Sequence, residues 1–117
     1  MLEDLIGKTL ISVQEEDDSV VFRTTDNCVY IMEHEQDWCE SVHLEDVTGE
    51  LTDIIGSPIL VADERSETMS YEDAGGDSGT WTFYEFRTVR ASITLRWGGY
   101  SNGYYSESVN FYERFNP

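Results

Sequence analysis

The chain reads as a mainly β (α+β) fold of about eight short antiparallel strands in two repeated helix-plus-four-strand modules. Three observations predict it. Apolar residues alternate at period two in Val29/Ile31, Val42/Leu44, Ile93/Leu95/Trp97 and Val109/Phe111. Turn-forming clusters separate those runs at Glu15-Glu16-Asp17-Asp18, Thr25-Asp26-Asn27 and Ser101-Asn102-Gly103. The segment Leu2-Glu3-Asp4-Leu5-Ile6-Gly7 recurs as Leu51-Thr52-Asp53-Ile54-Ile55-Gly56, and both copies precede an apolar run.

Taken in order, the first module (residues 1–47) opens with a short helix ending at Gly7. Strands follow at about 8–15, 19–24, 28–35 and 39–46, bounded by the turn clusters above. The second module (48–117) opens with Thr48 as a helix cap, Leu51, Ile54 and Ile55 on one face, Gly56 at the end and Pro58 just beyond. Its strands are expected at about 57–65, 80–88, 91–98 and 105–113, with a glycine-rich surface loop over 72–79. The offset between copies grows from 49 to 67, because the second holds a longer insertion, about 66–79. One domain of 117 residues results, a bent sheet, a sandwich or a partly closed barrel with two short helices.

Charge narrows the function. The net charge is −17, with 24 carboxylates against seven Lys and Arg. Residues 1–56 hold fifteen of those carboxylates and only Lys8 and Arg23, a balance of −13; residues 57–117 hold nine against five, a balance of −4. A field of that sign repels nucleic acid and anionic membrane, and attracts basic protein surfaces. The expected partner is therefore a host protein with a basic surface, with no direct nucleic-acid or membrane binding. Aromatic residues make up 13% of the chain, which argues for folding despite the charge. The start, MLEDLIGK, lacks the basic and long apolar regions of a signal peptide, and Cys28 and Cys39 read as free thiols. The expected compartment is the cytoplasm of a bacterial host.

The densest reactive set is the segment Glu33 to Asp46, holding His34, His43 and Cys39. If Ile31 and Val42 face the core from neighbouring strands at 28–35 and 39–46, His34 lies opposite Cys39 at about 4.5–5.5 Å, near enough to share a zinc ion. Asp37 or Glu35 from the loop would add a ligand, whereas His43 lies about 13 Å along the strand and Cys28 is worse placed. Metal candidates are thus His34, Cys39 and Asp37, with Zn²⁺ the cofactor implied. Partner-binding candidates are Glu33, Glu35, Asp37, Glu40, Glu45 and Asp46. A cysteine nucleophile at Cys39 is disfavoured by the surrounding carboxylates, which oppose a thiolate. No nucleotide-binding glycine loop or calcium-loop spacing is present. The chain is expected not to be an enzyme. The strip Trp97, Tyr100, Tyr104 and Tyr105 reads as a sheet face or a protein interface.

The pieces HEQDWCESV (34–42) and SNGYYSESV (101–109), with LTDIIGSPIL (51–60) and Trp81-Thr82-Phe83-Tyr84, resemble a largely uncharacterised family of small acidic proteins of phages and prophages. The likeness covers nearly the whole chain. In that family a cysteine is common at the position of Trp38 and an aromatic at that of His43, which implies a shared site centred on His34 and Cys39. The resemblance implies phage origin and, by analogy, inhibition of a host defence enzyme, as in anti-CRISPR proteins that bind a Cas9-type nuclease and block DNA loading.

Overall fold

The computed structural model describes residues 2–114. Eight strands form: β1 (Leu10–Glu16), β2 (Ser19–Thr24), β3 (Val29–Glu33), β4 (Ser41–Thr48), β5 (Val61–Thr68), β6 (Ser78–Arg87), β7 (Ser92–Ser101) and β8 (Asn110–Arg114). They make two antiparallel four-stranded sheets, β1-β2-β3-β8 and β4-β7-β6-β5. The sheets share one core, in which Phe22 of β2 meets Phe86 of β6 at 5.3 Å between ring centroids. Phe111 packs edge-on to Phe22 at 5.9 Å and stacks on Tyr30 at 5.6 Å, closing that core at the β8 side. The arrangement is a two-layer sandwich of open sheets, which selects among the three expected forms. Among the described residues no helix is long and apolar enough to cross a membrane.

The two expected helices are single 3-10 turns, Leu2–Leu5 and Leu51–Ile54. Thr48 does not cap the second, because it closes β4; Glu50 occupies the cap position and makes no side-chain cap bond. Ile55 is already extended and Gly56 turns back at φ +90°, so there is no length for a second helical turn.

The halves meet about an approximate twofold. Residues 49 apart exchange bonds: Gly7 N–H donates to the Ile59 carbonyl at 2.8 Å, and Gly56 N–H to the Leu10 carbonyl at 3.0 Å. Thr9 bridges Pro58, its own counterpart, and Leu10 and Ile59 are both fully buried. The pairs Gly7/Gly56 and Val13/Ala62 match likewise in backbone and burial.

One expectation is corrected. The strands of a module do not stay in one sheet. β3 pairs with β2 and β8, and β4 pairs with β7, so no β3–β4 hairpin forms. Each sheet holds three strands from one half and the fourth from the other. The segments 34–40 and 102–109 are the crossovers by which the chain changes sheets, which is why β3 stops early and β4 and β8 start late.

Candidate functional site

The acid is concentrated at one end of the first sheet. Asp17 and Asp18 form the two-residue β1–β2 turn with φ of +32° and +61°, a backbone that aspartate tolerates better than most residues. That turn exposes Glu15, Glu16, Asp17 and Asp18. Pairing then lines up Glu16, Ser19, Glu33 and Asn110 across all four strands. Glu16 and Glu33 are two strand spacings apart, about 10 Å. Tyr112 Oη–H donates to Glu33 Oε1 at 2.6 Å, and Asn110 Oδ1 accepts the Glu35 N–H at 2.9 Å, fixing the start of the crossover. Asp37 is exposed further along it. Glu35 and Asp37 lie in this crossover rather than on a strand, so regular i, i+2 spacing applies to neither.

The basic residues of the sheet sit at its other end. Arg23 and Arg114 flank Val29 in one row, four residues and about 13 Å along β2 from Ser19. Lys8 is bound there to Asp26, whose carboxyl is held at about 2, first by Lys8 and then by the Thr24 hydroxyl. Glu45 and Asp46 sit at a bulge of β4 in the second sheet. Asp46 lies opposite Arg96, and Glu45 accepts a bond from Tyr100 Oη at 3.3 Å.

Glu40 is different in kind. It is 3% exposed, so its carboxylate faces the crossover instead of solvent. It accepts N–H bonds from Asp37 and Trp38, each 2.7 Å, and another from His34 Nε2 at 2.7 Å. Burial pushes this carboxyl upward, but the His34 bond and the backbone N–H groups outweigh it and set it at about 2. The second crossover repeats the device 67 residues later. Glu107 accepts from Ser101 Oγ, the counterpart of His34, and from Thr80 Oγ1 at 2.7 Å. Burial raises that carboxyl and the hydroxyls of Ser101, Thr80 and Ser78 lower it, leaving it below its ordinary value. The two distinctive nonapeptides are thus one device used twice. The residue at position one and the glutamate at position seven lock the loop, and the valine at position nine, Val42 or Val109, is buried.

His34 is committed to this lock. Its Nδ1 meets the Ser108 carbonyl at 2.6 Å, joining the two crossovers, and its Nε2 meets Glu40 Oε2 at 2.7 Å. With an acceptor seated against each nitrogen, the ring turns neither nitrogen toward Cys39 or Asp37 for a shared metal. Cys39 is exposed and Asp37 gives its N–H to Glu40. Among the described residues no three His, Cys, Asp or Glu side chains converge as a metal site would require. Of the aromatic strip, Trp97 is fully buried in the core, while Tyr104 is 84% exposed beside Tyr105.

The second histidine has other neighbours. Its Nδ1 meets Asp18 Oδ2 at 2.9 Å, drawing the acidic β1–β2 turn of one sheet against β4 of the other, and its Nε2 meets the Ser41 hydroxyl. The reading from sequence placed His43 only as a distant metal ligand. Ser41 and His43 at i, i+2 on a strand share a face, a signal that was present in the letters; Asp18, 25 residues earlier, gave none.

A family model described as a domain of unknown function (DUF7448) matches residues 3–111. No curated protein and no solved structure matches the chain.

Proposed function

We propose that this chain, which belongs to the DUF7448 family, is a binding module whose acidic end docks on a basic, nucleic-acid-holding surface of another protein. The observation that carries the reading is the gathering of Glu15, Glu16, Asp17, Asp18, Glu33, Glu35 and Asp37 around one end of the first sheet. The sequence has no Lys or Arg between Arg23 and Arg65, and Arg23 lies at the opposite end. Like charges so placed repel one another, and a partner that supplies arginines relieves that repulsion while forming charge-assisted bonds. Nucleic acid on the same surface would be displaced, because both ligands use the same cations.

The phage-protein resemblance directs the choice of partner to a host defence nuclease in the bacterial cytoplasm. A Cas9-type effector suits the charge, since it holds its guide–target duplex in a positively charged channel. Binding would be stoichiometric and would block DNA loading.

The test is titration of purified Cas9-type effectors at low and high salt, with DNA loading as a second readout. A complex that weakens at least about tenfold between about 50 and 300 mM salt is expected, because exposed charges are screened over about 10 Å or less. The double variant Glu16→Lys/Glu33→Lys should weaken it about a hundredfold, while Glu72→Lys in the β5–β6 loop should not. No complex with any such effector, or one indifferent to salt and to the double variant, overturns the reading.

A further inference from the structure

We infer that Ser41, His43 and Asp18 form a hydrolytic relay on the outer face of the second sheet, acting on uncharged or cationic carboxylic esters. The observation is the order of atoms. Asp18 Oδ2 accepts from His43 Nδ1–H at 2.9 Å, and Ser41 Oγ meets Nε2 of the same ring. A carboxylate on Nδ1 selects the tautomer whose Nε2 carries the lone pair, and a hydroxyl on Nε2 then hands its proton to that lone pair. The two histidines of the chain are opposites here. His34 meets an acceptor at each nitrogen and has nothing to give a nucleophile, whereas His43 meets one acceptor and one hydroxyl.

A structural clasp between the sheets does not account for the whole arrangement. The His43–Asp18 bond joins β4 to the β1–β2 turn, but Ser41 and His43 lie on the same strand, so their contact joins nothing further. His43 pairs across the ladder with Gly98, where the Glu45 and Tyr100 side chains fill the space that a Cβ would take, each reaching within about 3.0 Å of it. Ser41 borders a cleft of about 390 Å³ shared with Cys39, Asp77, Tyr100 and Asn102. Asn102, in the wall of that cleft, accepts the Tyr104 N–H on its Oδ1 at 2.9 Å, which fixes the orientation of its side-chain amide. Asp77 in the wall and the acidic turn beside His43 disfavour anionic substrates.

The chemistry balances without a co-reactant other than water. Ser41 Oγ bonds to the ester carbonyl carbon as its proton passes to His43 Nε2. Collapse of the tetrahedral intermediate breaks the carbon–alkoxide bond, and the leaving alkoxide takes the proton from Nε2. Water then adds to the acyl carbon with the same proton transfer, releasing the carboxylic acid and restoring the serine. Asp18 is a positioning residue throughout.

The test is labelling by a fluorophosphonate followed by intact-mass and peptide analysis, in a Cys39→Ala background that removes the exposed thiol. One adduct on Ser41 is expected. It should vanish in Ser41→Ala, slow at least about a hundredfold in His43→Ala, in line with the 10²–10⁴ typical of a general base, and slow less in Asp18→Asn. Turnover of p-nitrophenyl acetate should follow the same order, and circular dichroism of each variant excludes unfolding as the cause. No adduct, an adduct at another residue, or a labelling rate unchanged in folded His43→Ala overturns the inference. None of these outcomes touches the binding reading, whose variants lie at Glu16 and Glu33.

Discussion

The neighbouring glycines Gly98 and Gly99 of β7 offer a direct test of the crossover geometry, because they sit on opposite faces of the same strand. A Cβ on Gly99 would lie 2.4 Å from the Glu107 carbonyl oxygen, 2.9 Å from Glu107 Cβ and 3.1 Å from its carbonyl carbon. All three belong to the second crossover, and β7 is held between β4 and β6, so the strand cannot retreat. The crossover must move instead, loosening the bonds from Ser101 and Thr80 to Glu107. Overpacking of this kind costs about 1–3 kcal/mol, and each weakened, partly exposed hydrogen bond about 0.5–1.5 kcal/mol more. Gly99→Ala should therefore cost about 3 kcal/mol. The three atoms nearest a Cβ on Gly98 would be Glu45 Cγ at 3.0 Å, Tyr100 Oη at 3.0 Å and Glu45 Oε1 at 3.1 Å, all on long side chains that can swing aside. Gly98→Ala should stay within about 0.5 kcal/mol, helped by lower entropy of the unfolded chain. Urea unfolding reads the difference: with a slope of about 2 kcal/mol/M, Gly99→Ala should lose about 1.5 M of midpoint at unchanged slope. Equal shifts for the two glycines, or less than about 1 kcal/mol at Gly99, would show that the crossover does not lie against β7 as described.

Acid unfolding should report the buried carboxylate. Glu40 sits at about 2 in the folded protein against an ordinary 4.5, so its stabilising contribution is complete above about pH 4.5 and is lost as pH falls toward 2. Glu40→Gln should lower the urea midpoint at neutral pH and flatten its fall between about pH 4.5 and 2.5; curves parallel to the parent would count against the lock. Asp26→Asn should remove a smaller part of the acid slope, since Asp26 is held at about 2 by Lys8 and Thr24 but is more than half exposed, where solvent screens the pair. Phe22→Ala removes the ring that touches both Phe86 and Phe111, and should cost about 3–5 kcal/mol by chemical denaturation.

Local pattern carried most of the fold. Eight strands lie where alternation and turn clusters put them, because a half-buried strand writes period two into its own residues whichever sheet it joins. The choice of sheet is not written locally. Val42 alternates with Leu44 whether β4 pairs with β3 or with β7, and the short gap between the strands expected at 28–35 and 39–46 invited the hairpin reading that the exchange of β4 and β8 replaces. The two short helices lie where the sequence placed them but stay single 3-10 turns: Leu51 and Ile54 begin a helical face, and Gly56 then turns the chain so that its N–H can reach Leu10. At the site, the acidic end was legible as charge, because sequence already separates the carboxylates from the cations. Glu40 was not. A glutamate among Glu33, Glu35 and Asp37 reads as one more surface charge, and only the folded crossover shows that it points inward.

The exchange of strands explains why the chain needs a polar lock at these two places. A strand that stays in its own sheet is fixed by a short turn, whereas a chain leaving one layer for the other strips several backbone N–H groups of ladder partners. Glu40 answers that need in the first crossover, taking the N–H groups of Asp37 and Trp38, and Glu107 fixes the second by binding the hydroxyls of Ser101 and Thr80. His34 Nδ1–H, reaching Ser108, ties the two crossovers together. The device holds the base of the acidic end rigid, since Glu33 and Glu35 flank His34 in the chain. It also sets the start of β4, and so the positions of Ser41 and His43. Both readings of function thus rest on the same two glutamates, the buried Glu40 and the half-buried Glu107. Loosening Glu40 should blur partner binding and Ser41 labelling together, whereas Glu16→Lys should affect the first alone and Ser41→Ala the second alone.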